Sequence, residues 1–561
     1  MTVKTVWRAV AEALAAEGVE YVFGLPGNPK HLIYDLSEHT KIKFVLVRDE
    51  QYAVACAYAH ARLTRKPAVV FSNPGPGITK LVTGLLEATS GSLPVIAITN
   101  GVVMAHDGMG AFQELDSVAM MRAVTKWATR LIDPRKVHWT MQRAFSLAIN
   151  GRPGGIYIDV PSDLAGMKFE LPDYRPSPGR HRMRPDAPKA RAAAALLAGA
   201  ERPLLLCGSG AVFSGAAPQV RVLAERVGMP VFTTPGGRGI YPEDDALALG
   251  QVGLYFTAAG KSYYDAADLI VSVGSRLEAF STNSWEFYPA GAKLVQIDID
   301  PHAIAMNWRP DVAVVGDAAL ALDDIADVLP PINASRRTAR LAGITAAKDA
   351  YLRQTAAEAA QRCKPIRVPQ VLAAINAIFG RDTILVNENG GADLWCYYWP
   401  YYRVLDIDDC VPMAEQTAMG FGIAGTIGTK LARPGKNVVC VTGDGAMNMA
   451  LTELATAAEW KCGVTWVVLN NRALGWVQYD QLLNHKPFIA TNFEVAADFV
   501  KIAEAQGCRG VRVEDPGDVE AALAAALAAN REGVPFLVDI AIRKHDYPPH
   551  FVDVHKARLE H

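Results

Sequence analysis

No run of apolar residues in this 561-residue chain is long enough to span a bilayer, which leaves no membrane-crossing helix to place. Nor is there a surplus of one charge. Lysine and arginine number 56 against 58 aspartates and glutamates, for a net charge of −2. Without a basic block the sequence gives no support for nucleic-acid or membrane-surface binding. The eight cysteines, at 56, 207, 363, 396, 410, 440, 462 and 508, never fall into CxxC spacing. That excludes a zinc knuckle or a disulfide framework and points to reduced thiols in a cytoplasmic protein. The opening residues, MTVKTVWRAVAEALAAEG, have the pattern of an amphipathic helix and not of a signal sequence.

Apolar residues make up 50% of the chain, and its length exceeds what one core supports. Strand-like runs alternate with helical patterns, which predicts an α/β fold with parallel sheets. Two composition breaks divide it: the Pro- and Arg-rich stretch from Pro172 to Pro188, and the Ala/Arg-rich helix pattern between Asn333 and Arg367. The expected segments are 1–171, 189–332 and 365–545, followed by a tail, 546–561, whose Leu559-Glu560-His561 looks like a tag remnant.

The chemistry concentrates between Gly443 and Asn471. Gly443-Asp444-Gly445 follows the apolar run Val438–Val441, a helical pattern carries Leu451, Leu454, Ala455 and Ala458, and Asn470-Asn471 follows a second apolar run. This predicts a strand, one helix and a strand, with Asp444 and Asn471 at the carboxyl ends where parallel sheets bind ligands. A carboxylate and an amide oxygen suit a hard divalent cation that also takes phosphate oxygens. Gly443 and Gly445 let backbone N–H groups approach phosphates. A tight turn followed by an asparagine turn is the plainer alternative.

This stretch resembles the motif of thiamine diphosphate-dependent enzymes. The resemblance implies that Asp444, Asn471 and the carbonyl of Ala473 hold Mg2+. It also implies that Gly390, Gly391, Ala392, Gly443, Gly445 and Ala446 face the diphosphate. The family has three doubly wound parallel-sheet domains: pyrimidine-binding, central and diphosphate-binding. Phe23–Gly27, Arg48–Gln51 and Gly75–Thr79 resemble the first of these and place its catalytic glutamate at Glu50. There a carboxyl bonded to the pyrimidine nitrogen N1′ favours the imino tautomer that activates the cofactor. Read alone, Glu50 could be an acid at a helix start stabilised by the dipole.

Gly110–Asp116 resembles the substrate-facing segment of acetolactate synthases, making Phe112 and Gln113 pocket candidates; Gln113 could equally anchor a loop. Asn28 and His31 are further candidates. The spacing Gly420-x-Gly422-x-x-Gly425 fits a dinucleotide fingerprint, but no clear strand feeds it, so a helix with glycines for close packing is the better account. By resemblance Met419 wedges beneath the cofactor and the Thr417 carbonyl accepts from its amino group, although Met419 could be ordinary core. Trp476, Val477 and Glu494, the last on a short helix, are expected to border the cleft. In the middle segment Asp298 and Asp300 could hold an adenosine ribose or simply cap turns, so FAD, coenzyme A (or its ADP part) or nothing could bind there.

The overall likeness is to the acetolactate synthase group, with 2-hydroxyacyl-CoA lyases and oxalyl-CoA decarboxylases as cousins. Ser162 stands where that group has lysine, and Asp480 where the biosynthetic synthases have tryptophan. The resemblance implies a carboligase or decarboxylase acting on a 2-oxo acid. The alternatives are a lyase or decarboxylase of coenzyme A thioesters, a flavin-linked oxidase, or a non-catalytic cofactor binder. It also implies a homodimer or homotetramer with active sites at the subunit interface.

Overall fold

A computed structural model describes residues 2–27 and 31–551. Among the described residues three six-stranded sheets, every strand pair parallel, carry the fold, alongside one two-stranded antiparallel ribbon. The chain divides into two compact units. One comprises residues 1–181, 416–434 and 452–460; the other comprises 182–415, 435–451 and 461–561.

The first unit holds one sheet, in spatial order Lys43–Leu46, Tyr21–Gly24, Ala68–Ser72, Val95–Gly101, Ile156–Pro161 and Trp127–Arg130. Its inner strands are apolar runs, as strands covered on both faces must be. The expected N-terminal helix forms over Val6–Ala16, but Thr2–Thr5 is a strand paired with Lys168–Leu171, which the helical pattern had masked. The helix Glu50–Thr64 is buried along nearly its whole length, with Ala53, Ala55, Ala57, Ala59 and Ala61 fully covered. Such a helix needs a partner on its outer face, and Phe421–Ala432 supplies it. A Cβ at Gly428 would fall 1.9 Å from the Cys56 carbonyl oxygen, so only glycine lets the two backbones approach. Tyr58 meets Phe421 edge-on at 5.5 Å. The Gly420–Gly428 pattern is therefore helix packing, with Gly420 at φ +81° ending the turn that precedes the helix.

The second unit holds the other two sheets. The central one runs Ala248–Gln251, Val231–Thr233, Pro203–Cys207, Leu269–Val273, Lys293–Asp298 and Val312–Val315. The C-terminal one runs Cys410–Val411, Thr383–Asn387, Asn437–Gly443, Thr465–Asn470, Phe536–Ala541 and Arg509–Val513. They are tied by a buried ion pair, Arg238 with Glu243 at 2.8 Å, whose guanidinium also donates to the carbonyls of Cys396 and Tyr402. The 26-residue helix Ala334–Ala359 follows the central sheet. All eight cysteines are free, and no helix among the described residues is long and apolar enough to cross a membrane.

Candidate active site

In the second unit Asp444 begins a helix directly at the end of the strand Asn437–Gly443, and Asn471 follows the neighbouring strand Thr465–Asn470. The single helix expected between them is two, Asp444–Ala450 and Glu453–Glu459, broken at Leu451-Thr452. Asp444, Asn471 and Ala473 line one cavity of about 40 Å³ with Gly391, Gly443, Gly475 and Lys544. Asp444 is 3% exposed, and its Oδ1 is buried without a hydrogen-bond partner. Burial pushes this carboxyl up to about 7, against its own peptide N–H and those of Asn471 and Ala473, and Asp539 adds to the rise.

The two asparagines divide the work. Asn470 donates to Asp539 at 2.9 Å and accepts from the Arg472 N–H, so its amide holds the strand end. Asn471 turns to the cavity, its Oδ1 accepting from the Ala473 N–H at 3.1 Å. An orphaned carboxylate oxygen, an amide oxygen and room for a small ion fit a hard cation. Among the described residues no cluster of three or more His, Cys, Asp or Glu forms a metal cage. Gly390, at φ +134°, and Gly443 both border open space: among the described residues, chain neighbours aside, nothing lies within 4 Å of where a Cβ would project. Gly391 opens the helix Gly391–Tyr397, which includes Ala392, while Gly445 and Ala446 are buried in the helix that Asp444 begins.

In the first unit Glu50 is the first residue of its helix and only 6% exposed. Asp49 caps that helix, accepting from the Gln51 N–H at 3.0 Å. Lys80 lies 2.8 Å from Asp49 and 3.6 Å from Glu50. A Cβ at Gly77 would sit 3.0 Å from a Glu50 carboxyl oxygen and 2.5 Å from the Ser72 hydroxyl, so glycine there leaves the carboxyl its place. Gly75, at the same turn, abuts Gln113: a Cβ would come within 2.9 Å of the Gln113 Cβ. The Gly-rich turn thus brings Glu50 and Gln113, 63 positions apart in sequence, to one locality.

Gln113 has φ +62°, and Phe112 beside it is 86% exposed. The loop closes on itself through Glu114, which accepts from the N–H groups of Gly108 and Ala111. Thr417 and Met419 are half-buried in this same unit. The Ala418 N–H donates to the fully buried Glu87 at 3.4 Å. Thr417 has φ +51°, a left-handed conformation that a β-branched residue adopts at a cost of roughly 1–3 kcal/mol.

Asn28 lies outside the described residues. His31 opens the helix His31–His39. Glu494 is exposed in a bend and not on the expected helix; its carbonyl accepts from Arg472 at 2.9 Å. Trp476 and Val477 lie in the helix Gly475–Leu483. Ser162 spends its hydroxyl on the Gly101 carbonyl at 2.6 Å and accepts from Asn100. A cavity of about 670 Å³ lies apart from all these residues, between the helices Ala334–Ala359 and Val368–Phe379 and the 400–409 loop. Sequence reasoning missed Lys80, Glu87 and Glu453. The last carried a faint signal, an acid within the otherwise apolar face of a helix.

The fold and these residues define a class: α/β enzymes that hold a diphosphate cofactor at the carboxyl ends of parallel strands. Three family models match: the N-terminal TPP-binding domain of thiamine pyrophosphate enzymes over residues 4–120, their central domain over 190–325, and their C-terminal TPP-binding domain over 393–540. A probable acetolactate synthase large subunit of Methanocaldococcus jannaschii is 33% identical, over 95% of this chain and 91% of that protein. The acetolactate synthase large subunit of Haemophilus influenzae is 31% identical, over 96% of this chain and 95% of its own. The chain belongs to the thiamine pyrophosphate enzyme family. It is a thiamine diphosphate-dependent carboligase resembling acetolactate synthases, and the reading as a coenzyme A thioester lyase is not favoured.

Proposed function

We propose that the chain joins a 2-oxo acid donor, after loss of CO2, to a second carbonyl compound, using thiamine diphosphate held through Mg2+. The observation that carries the cation and its place is the orphaned, buried Oδ1 of Asp444 in a cavity shared with Asn471 and Ala473. When bound, the cofactor supplies a carbon nucleophile for the donor carbonyl and a sink for the electron pair left as CO2 departs.

The protein's own residues do the rest. Asp444, the Asn471 amide oxygen and the Ala473 carbonyl hold the cation. Backbone N–H groups at Gly390, Gly391, Ala392, Gly443, Gly445 and Ala446 receive phosphate oxygens. The Glu50 carboxyl holds a proton against N1′ of the pyrimidine. Met419 and the Thr417 carbonyl orient the ring, Phe112 and Gln113 face the substrate, and Asn28 and Glu494 are the further candidates for the substrate side. The exposed apolar residues Val477, Ile489 and Val495 support a further part of this reading, assembly as a homodimer or homotetramer, which light scattering tests. The central sheet is where FAD or a coenzyme A nucleotide would bind; a flavin absorption band from the purified protein distinguishes the first.

The test is product analysis by mass spectrometry with pyruvate, thiamine diphosphate and Mg2+. Acetolactate or acetoin is expected, with Glu50→Gln lowering kcat by about 10³-fold. Turnover unchanged in Glu50→Gln would overturn the role of Glu50, and no product from any 2-oxo acid would overturn the donor class.

A further inference from the structure

Glu453 is fully buried, yet no motif accounts for it. It opens the helix Glu453–Glu459 in the first compact unit. One carboxyl oxygen, Oε1, accepts from two successive backbone N–H groups, Arg48 at 2.9 Å and Asp49 at 3.0 Å. The other, Oε2, accepts from the Thr456 hydroxyl at 2.8 Å. Around this pair, the Arg48 guanidinium bonds Glu459 at 2.8 Å and the Thr456 hydroxyl at 3.3 Å. Burying a carboxylate is costly unless its oxygens are satisfied, and here each one is. What they satisfy is the turn between the strand Lys43–Leu46 and the helix that Glu50 begins. Turn N–H groups at a strand end can usually be left to water. A buried acid 405 positions from Arg48 and 404 from Asp49 fixes these two instead.

We propose that Glu453 is a positioning residue for Glu50. By anchoring the two peptides that precede Glu50, it sets the direction of the Cα–Cβ bond and so the place of the carboxyl. The inference rests on the reading of Glu50 given above. The geometry separates position from charge. Both backbone donors use the same oxygen, so a glutamine with its carbonyl at Oε1 keeps both bonds, and its NH2 can donate to the Thr456 hydroxyl. Position alone therefore predicts that Glu453→Gln behaves like the natural enzyme and Glu453→Ala does not.

The experiment compares Glu453→Ala, Glu453→Gln and Thr456→Val as holoenzymes, with Glu50→Gln as control. It measures kcat and the Kd for thiamine diphosphate with Mg2+. It also records the near-ultraviolet circular dichroism of the bound cofactor, which reports the tautomer of its aminopyrimidine ring. Glu453→Ala is expected to lower kcat by about 10- to 100-fold and to weaken the imino signal, with Kd changed less than about threefold. Glu453→Gln should restore both readouts, and Thr456→Val should lie between. If Glu453→Ala does not fold, the ratio of Thr456→Val to Glu453→Gln decides, a loss confined to Thr456→Val supporting the proposal. Equal losses in Glu453→Ala and Glu453→Gln, or an unchanged imino signal in Glu453→Ala, would overturn it. An active Glu50→Gln would instead overturn the role of Glu50, so the two failures stay distinct.

Discussion

The central and C-terminal sheets invite comparison: each has six parallel strands, and both lie in one compact unit. Each also has a point where strand order reverses and the strand ends part, the usual place for a ligand. In the central sheet the acids that end or follow the strands Lys293–Asp298 and Val312–Val315 bond to turns and side chains nearby. Asp298 accepts from the Asp300 N–H at 2.9 Å, and Asp300 from the His302 N–H at 3.0 Å. Asp317 accepts from Arg182, Ser214 and the Ala319 N–H. The two loops at the reversal press together, since a Cβ at Gly208 would meet the Gly274 carbonyl oxygen at 2.4 Å. In the C-terminal sheet Asp444 keeps an oxygen with no partner, and Gly390 and Gly443 border open space. Topology offers both sheets the same opportunity; the unspent oxygen and uncovered backbone of the C-terminal one fit the TPP-binding domain it belongs to.

The largest effect should come from Asp444→Asn. Apparent affinity for thiamine diphosphate with Mg2+ is expected to fall more than about 100-fold, since even partners behind a metal ligand are worth 10- to 100-fold. The cofactor-free protein should melt higher than the natural one, because an unpaired buried carboxylate has been removed. Calorimetric titration and thermal melts without ligand measure both. Unchanged binding would erase the distinction between the two sheets.

Next in size is the contrast between adjacent asparagines. Asn471→Ala should weaken cation-dependent binding by about 10- to 100-fold with little change in melting. Asn470→Ala should do the reverse, losing roughly 1–3 kcal/mol of stability by leaving the buried Asp539 short of a partner. If both variants lost only binding, the strand-end role of Asn470 would be wrong.

How much of this was legible in the sequence depended on how local the cause was. The three sheets could be read from apolar runs, and Asp444 and Asn471 from their place at strand ends. The break at Leu451-Thr452 could not: Leu451 and Leu454 keep helical spacing across it, so periodicity reports one helix where there are two. Glu494 was expected on a helix because no local signal separates a mixed polar stretch from a bend. Glu453, with only a faint signal of its own, was missed for another reason. Its partners, Arg48 and Asp49, are fixed by tertiary packing and leave no spacing to detect. In the central segment the sequence left Asp298 and Asp300 open between ribose and turn, and one oxygen of each accepts from a turn N–H.

The smallest expected effect sharpens the comparison from the central side. Burial works against ionisation of Asp317, yet Arg182 and Ser214 hold its carboxyl below the ordinary carboxylate range. That is the opposite of Asp444, and it marks a group whose bonds serve the fold. A carboxyl whose pKa is depressed on folding contributes stability that is present above the unfolded value of about 3.9 and lost as pH falls through the folded value. Asp317→Asn should therefore cost about 1 kcal/mol at neutral pH, with cofactor affinity unchanged. The gap in melting temperature between this variant and the natural chain should hold at neutral pH and close as the medium falls below about pH 4. A gap that persisted undiminished in acid would mean the carboxylate charge contributes nothing there, and that the two acids differ in shape alone.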